Sequence, residues 1–195
     1  MIYLVRHGQT EFNRERRLQG HVDSPLTELG LRQAAAAGAL LKDLTGGGAG
    51  WRVVSSPLGR ARRTAEIIAE ALGVTEIENE PRLIELSWGA WDGRLRDQLA
   101  AEYPEAFGKT GWAFHAPTGE SYAQVCARMQ SWLDSLPAEP ERRVIAVSHG
   151  VAGRVLRGVY GSLPEGVVPG QDAPQDAIFR LQGGAIERIA CELAA

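Results

Sequence analysis

The sequence predicts an α/β protein: a three-layer α/β/α sandwich around a mostly parallel central sheet. Three observations predict it. Short β-branched apolar runs alternate with stretches of helical period, as when parallel strands are joined by crossover helices. Three of those runs end in a polar signature: Arg6-His7-Gly8, Ser55-Ser56-Pro57 with Arg60, and Ser148-His149-Gly150. The 195 residues, 44% hydrophobic and 23% charged, are enough for one domain with a real core.

The elements follow in order. Ile2-Tyr3-Leu4-Val5 reads as a buried strand, followed by a polar, Arg-rich loop through Pro25. A helix begins after Thr27, a residue able to cap it, with Leu31, Ala34 or Ala35, Gly38 and Leu41 at helical spacing. Gly46-Gly47-Gly48-Ala49-Gly50 ends it; Trp51 stands where a dinucleotide loop needs its last glycine, so a flexible connector is expected. A second buried strand covers 51–55, and a second helix turns Ala61, Ala65, Ile68 and Leu72 inward. A short third strand is expected at 75–78. The stretch 84–93 lacks a clean period and reads as an ordered loop. Two short helices are expected within 94–107, a longer one over 121–136, and a β-branched strand at 143–147 that opens into another helix after Gly150. Ala177–Leu181 and Ala185–Ile189 read as a hairpin across Gly183-Gly184. The whole chain, 1–195, is expected to be a single domain, with a cap or specificity segment around 88–119.

A net charge of −3 gives no reason to propose nucleic acid or an anionic membrane as partner. Cys126 and Cys191 lie far apart and form no CxxC, which fits reduced thiols in a cytoplasmic protein. Neither a signal peptide nor an apolar run of spanning length is read from the chain.

The carboxyl ends of parallel strands lie on one edge of the sheet, where open α/β sheets place their ligands. Residues remote in sequence therefore converge there: Arg6 with His7, Arg60, and His149. An arginine beside a histidine disfavours protonation of the imidazole. The neutral ring is left able to attack phosphorus while guanidinium groups hold the oxygens. Arg62 and Arg63 lie within a turn of Glu66 and read as surface ion pairs, whereas Arg60 opens its helix, where backbone N–H groups also favour an anion. Glu85, between Ile84 and Leu86 and close to Trp88 and Trp91, is a candidate partly desolvated general acid; a surface glutamate in a loop reads equally well.

The segments LVRHGQTEFN, QGHVDSPLTELG, SSPLGRARRTAEI, IELSWGAWDG, GESYAQV and AVSHGVAGRVL together resemble the histidine phosphatase (phosphoglycerate mutase-like) superfamily, from Ile2 to about Leu156. The resemblance implies that His7 becomes phosphohistidine, that Arg6, Arg60 and His149 bind phosphoryl oxygens, and that Glu85 donates the leaving-group proton; the chemistry of the residues adds that His149 is expected to be protonated when it stabilises the phosphoryl charge. Asn13, Gln19 and Gly20 match positions near the phosphate pocket, and Gly150, beside His149, is a further candidate contact. No metal and no cofactor is implied, and the expected ligand is a small phosphorylated metabolite. Gln9 stands where many relatives have glutamate, Val151 replaces a small residue, and Gln175 replaces an Asn-containing turn. Substrate choice is expected to rest on 88–119, where Trp91, Phe107, Trp112 and Phe114 either wall a pocket or pack a small satellite core. His21 and His115 are left without a role, and the oligomeric state is not read.

Gly108-Lys109-Thr110 lacks the upstream glycine of a P-loop, Tyr103 standing in its place. Ser148 lacks a following triad histidine, as no histidine comes after His149. The stretch between Glu85 and His149 shows no extra lid element, which favours a phosphatase over a phosphoglycerate mutase. An inert phospho-ligand-binding relative is disfavoured because all five core residues are present.

Overall fold

The computed structural model describes residues 1–193. Six strands, β1 (Ile2–Arg6), β2 (Arg52–Ser55), β3 (Ile77–Asn79), β4 (Val144–Ser148), β5 (Ala177–Gln182) and β6 (Ala185–Ala190), form one sheet in the order β3-β2-β4-β1-β5-β6. The first four pair in parallel, and β5–β6 is an antiparallel hairpin added beside β1. The expected α/β class and mostly parallel sheet are what the chain adopts.

Side chains on β1 alternate between two cores, as the period of two requires. Ile2 and Leu4 face one side, with Val144 and Ala146 of β4, and pack under α6 (Tyr122–Asp134) and α7 (Gly150–Tyr160). Tyr3 and Val5 face the other, with Ile145 and Val147, under α2 (Glu28–Thr45) and α3 (Gly59–Leu72). Both faces being covered explains why β1 and β4 read as unbroken apolar runs. Thr27 caps α2 as expected, accepting from Gly30 N at 3.1 Å.

Three local expectations change. The loop after β1 contains a helix, α1 (Glu11–Arg14), because Thr10 and Asn13 form a reciprocal capping box: Thr10 Oγ1 accepts from Asn13 N at 3.1 Å, and Asn13 Oδ1 accepts from Thr10 N at 3.2 Å. The third strand forms at Ile77–Asn79, later than 75–78, where Val53, Val54 and Ser55 supply its parallel partners. The stretch 84–93 contains a 3-10 turn at Gly89–Trp91. The two short helices are α4 (Arg96–Glu102) and α5 (Pro104–Phe107), divided at Tyr103, the residue before a proline. Among the described residues no helix is long and apolar enough to cross a membrane.

Candidate active site

Two backbone bonds set the register of the strand ends. His7 N donates to Ser148 O and Ser56 N to Val147 O, each at 3.0 Å, so His7, Ser56 and His149 emerge side by side. The turn after β1 lies directly on the first turn of α2. A Cβ on Gly8 would stand 2.2 Å from Gly30 O, and one on Gly30 would stand 2.0 Å from Gln9 O, so both positions require glycine. Thr64 Oγ1 accepts from Gly8 N at 3.1 Å and ties the same turn to α3.

His7 is buried, and its Nδ1 lies 2.8 Å from Gly8 O. A carbonyl can only accept, so Nδ1 carries the proton and Nε2 is left with its lone pair. Burial, then Arg60 and Arg6, hold its pKa well below the usual histidine range, so the ring is neutral. The His149 ring lies 5.1 Å from it, centroid to centroid, with Nε2 2.7 Å from Ser56 Oγ. Burial, then Arg60 and His7, depress the His149 pKa as well. His149 is thus held neutral, where the sequence reading expects a protonated ring. The cause is burial together with the cationic or cation-prone groups that share one desolvated hole.

Arg6 donates through Nη1 to Ala173 O at 2.5 Å, and burial lowers its pKa to about 10. Arg60 is 2% exposed. Its Nη atoms are held by the 20–23 loop: Gly20 O at 2.7 Å, Val22 O at 3.0 Å and Asp23 Oδ1 at 3.1 Å. Asp23 also accepts from Arg60 N at 3.3 Å, so the anion at this helix start is Asp23 rather than a ligand. The Nε atoms of Arg6 and Arg60 and Nδ1 of His149 are buried without a partner among the described residues. Buried polar atoms are almost always paired, and three unpaired ones around one histidine mark where an anion belongs. Arg62 and Arg63 pair with Glu66 at 3.6 and 3.2 Å, as their spacing predicts.

Glu85 is buried and lines the same cavity, of about 190 Å³. Its Oε1 accepts from Leu86 N at 2.9 Å and Ala152 N at 2.8 Å, and its Oε2 from Val151 N at 3.2 Å. The last two donors are the first turn of α7, which fixes the carboxyl group beside the hole.

Asn13, Gln19, Gly20 and Gly150 all line the cavity. Asn13 Oδ1 also accepts from Gln175 Nε2 at 3.1 Å, which leaves the Asn13 amide N–H groups for a ligand. Gln19 Nε2 donates to Thr10, and its buried Oε1 has no partner among the described residues. Gly20 adopts φ +51°, and a Cβ there would overlap the Asp92 carboxylate at 1.7 Å. Gly150 lies against Arg6, where a Cβ would stand 3.4 Å from Arg6 Nε, an ordinary contact distance. His21 is exposed on the loop, its Nε2 3.0 Å from Glu85 O, whereas His115 lines a separate surface hollow.

Three contributors escaped the sequence reading. Gln175 Nε2 donates to His7 O at 3.1 Å, bringing the turn before β5 into the site. Arg96 and Arg154 join Arg17 in lining the mouth. Arg154 could have been found from helical spacing, as it lies one turn beyond Gly150. The aromatic segment divides between both alternatives: Trp91 is fully buried in the main core against Tyr103 and Phe107, while Trp112 and Phe114 line a second cavity.

Residues 2–167 match the family described as the histidine phosphatase superfamily (branch 1). The chain is 42% identical over 192 residues to the probable phosphoglycerate mutase GpmB of Erwinia tasmaniensis, covering 96% of this chain and 83% of that protein. The Cronobacter sakazakii protein of the same name is 40% identical with the same coverage. Among solved structures, mycobacterial glucosyl-3-phosphoglycerate phosphatase complexed with VO3 superposes with a TM-score of 0.75 at 31% identity, over 100% of this chain and 98% of that one. Bacillus stearothermophilus YhfR gives 0.78 at 30% identity, over 97% and 95%. With its fold, its three strand-end motifs and these likenesses, the chain belongs to the histidine phosphatase superfamily.

Proposed function

We propose that this protein is a phosphatase that hydrolyses small phosphomonoesters through a phosphohistidine at His7. The observation that carries the reading is a neutral His7, with Nδ1–H held by Gly8 O, set among Nε of Arg6, Nε of Arg60 and Nδ1 of His149, which are buried without a partner among the described residues. His7 Nε2 attacks phosphorus, the ester P–O bond breaks, and protonated Glu85 gives its proton to the departing oxygen. Glu85, now a carboxylate, takes a proton from water; the hydroxide attacks phosphorus, the P–N bond breaks, and inorganic phosphate leaves. Arg6 and Arg60 stabilise charge on the equatorial oxygens, the work a metal does elsewhere. The incoming dianion favours protonation of His149, which then becomes a further donor.

Asn13, Gln19, Gly20 and Gly150 serve as the pocket's rim in this reading, and 88–119 as the specificity element of a single domain. The ligand is a small phosphorylated metabolite rather than nucleic acid or membrane. A cytoplasmic setting is supported by Cys126 and Cys191 both being free. A phosphoglycerate mutase is the second reading, favoured by the name of the curated relatives.

The test is phosphate release from a panel of phosphomonoesters with chelator present, for wild type and His7→Ala. The proposal expects release that falls at least about 10³-fold in the variant. Interconversion of 2- and 3-phosphoglycerate without release would make the protein a mutase, and binding without either activity would make it an inert relative.

A further inference from the structure

The peptide group that joins His7 to Gly8 is held from both edges. In a trans peptide the C=O and the N–H point in opposite directions. Gly8 N donates to Thr64 Oγ1 of α3 at 3.1 Å, and His7 O accepts from Gln175 Nε2 at 3.1 Å. The donor and acceptor roles follow from the neighbours. The Thr64 hydroxyl gives its proton to Arg60 O at 2.9 Å, so a lone pair is left for Gly8 N. The Gln175 nitrogen meets two acceptors, His7 O and Asn13 Oδ1, and the latter is identified as oxygen because it also accepts from Thr10 N.

Packing creates the need for such a clamp. Position 8 must be glycine because Gly30 O stands where its Cβ would be, and glycine leaves its backbone angles weakly determined. A concerted rotation of ψ at His7 and φ at Gly8 turns the peptide plane without moving β1. Gly8 O, 2.8 Å from His7 Nδ1, follows that plane directly, so its place against the ring depends on how the plane is set. The turn that carries Gln175 is itself anchored by side chains. Residues 171–176 lie outside helix and strand, and Asp172 pairs there with Arg157 at 3.3 Å and Arg188 at 3.2 Å. Arg157 is buried, its guanidinium 3.7 Å from the Phe179 ring centroid.

We infer that Thr64 and Gln175 are positioning residues for the nucleophile: they clamp the His7–Gly8 peptide so that Gly8 O keeps His7 in its Nδ1–H tautomer, with the Nε2 lone pair free. Neither residue touches the reacting atoms; both act through the backbone of the His7 turn. The effect on phosphoryl transfer rests on the phosphohistidine reading of the site, whereas the effect on the tautomer does not. Because the two residues hold one plane, losing either frees it, and losing the second adds little.

The experiment reads the His7 ring by long-range proton–nitrogen NMR of nitrogen-labelled protein without substrate, the His7 signals being those lost in His7→Ala. Wild type is expected to show Nδ1 protonated and Nε2 bare. Thr64→Val and Gln175→Met keep side-chain bulk but remove the acceptor and the donor. Each is expected to shift both ring nitrogens toward a mixture of tautomers. In each, kcat/KM for p-nitrophenyl phosphate is expected to fall about tenfold or more, with little further loss in the double variant. Thr64→Ser keeps the hydroxyl and is expected to retain the wild-type signals and rate. Ring signals unchanged in the folded variants would overturn the inference, whatever the rates do, and so would losses that add fully in the double variant. A tautomer that follows the clamp in a protein that hydrolyses no ester would retain the inference and remove the phosphatase reading. Hydrolysis that persists while the ring is indifferent to both substitutions would do the reverse. Thermal melts identify any variant that does not fold, and Gln175→Met, at a half-buried position on the turn, then carries the comparison.

Discussion

The cationic hole and the aromatic wall beside it are held by different physics. The hole is fixed by backbone: His7, Ser56 and His149 follow strands whose ends are bonded in register, and Glu85 is seated by two N–H groups of α7. The wall, residues 88–119, has no strand; it is two short helices and 3-10 turns tied together by stacked rings. Trp112 lies 4.3 Å from Phe107 and 5.3 Å from Trp88, and Phe107 lies 5.4 Å from Trp91. The contrast teaches that charge is placed where the backbone is most constrained, while the aromatic surface beside it is left to side-chain packing; on the proposed reading that surface meets the rest of the substrate.

This contrast can be broken from either side. On the wall, Trp91→Ala should cost about 3–5 kcal/mol of unfolding free energy in urea melts, because Trp91 is fully buried and the rings around it lose their partner. A cost below about 1 kcal/mol would show that the wall does not depend on its rings. In the hole, Arg60→Ala should lower kcat/KM by about 10²–10³-fold, since a donor to the developing charge is lost and Asp23 is left unpaired beside the site. A loss confined to KM would mean that Arg60 binds substrate without favouring the transition state.

Glu85→Gln sharpens the picture further. The amide fills the same space but supplies no acid, so kcat for alkyl phosphates should fall about 10²-fold, and much less for p-nitrophenyl phosphate, whose leaving group needs no proton. Equal losses on both would assign Glu85 a structural role.

The smallest expected effect is in pH. His7 and His149 have folded pKa values below the ordinary 6.5, so between those values and 6.5 the unfolded chain binds more protons than the folded one. Stability is therefore present in full above 6.5 and is lost as pH falls beneath it, which urea melts at a series of pH values would read. Inorganic phosphate, by pairing with the charged rings, should reduce that loss. For the same reason the acid limb of kcat/KM that reports His7 should lie below 6.5; an acid limb centred at or above 6.5 would contradict a neutral, buried His7.

Much of the hole is legible in the chain because its signals are local. Arg6-His7-Gly8 and Ser148-His149-Gly150 each follow an apolar run, so their shared edge is implied once the sheet is parallel. Arg60 is separable from Arg62 and Arg63 because Glu66 claims those two by helical spacing. The apolar neighbours of Glu85 foretell its burial, but not its two donors from α7, which lie 66 and 67 residues downstream. Gln175 and Thr64 act on the His7 turn across the fold, a relation that no spacing carries. The wall is least legible because its rings pack in no period, so Trp91 as core and Trp112 as lining look alike in sequence.

The central claim is that His7 carries the phosphoryl group between substrate and water. Its most direct test is mass spectrometry of the enzyme quenched within milliseconds of mixing with a turned-over phosphomonoester, under alkaline conditions that preserve phosphoramidates. The account predicts a phosphorylated peptide containing His7, lost on acid treatment and absent from His7→Ala. Steady phosphate release with no phosphorylated His7, or release that survives His7→Ala, would contradict it.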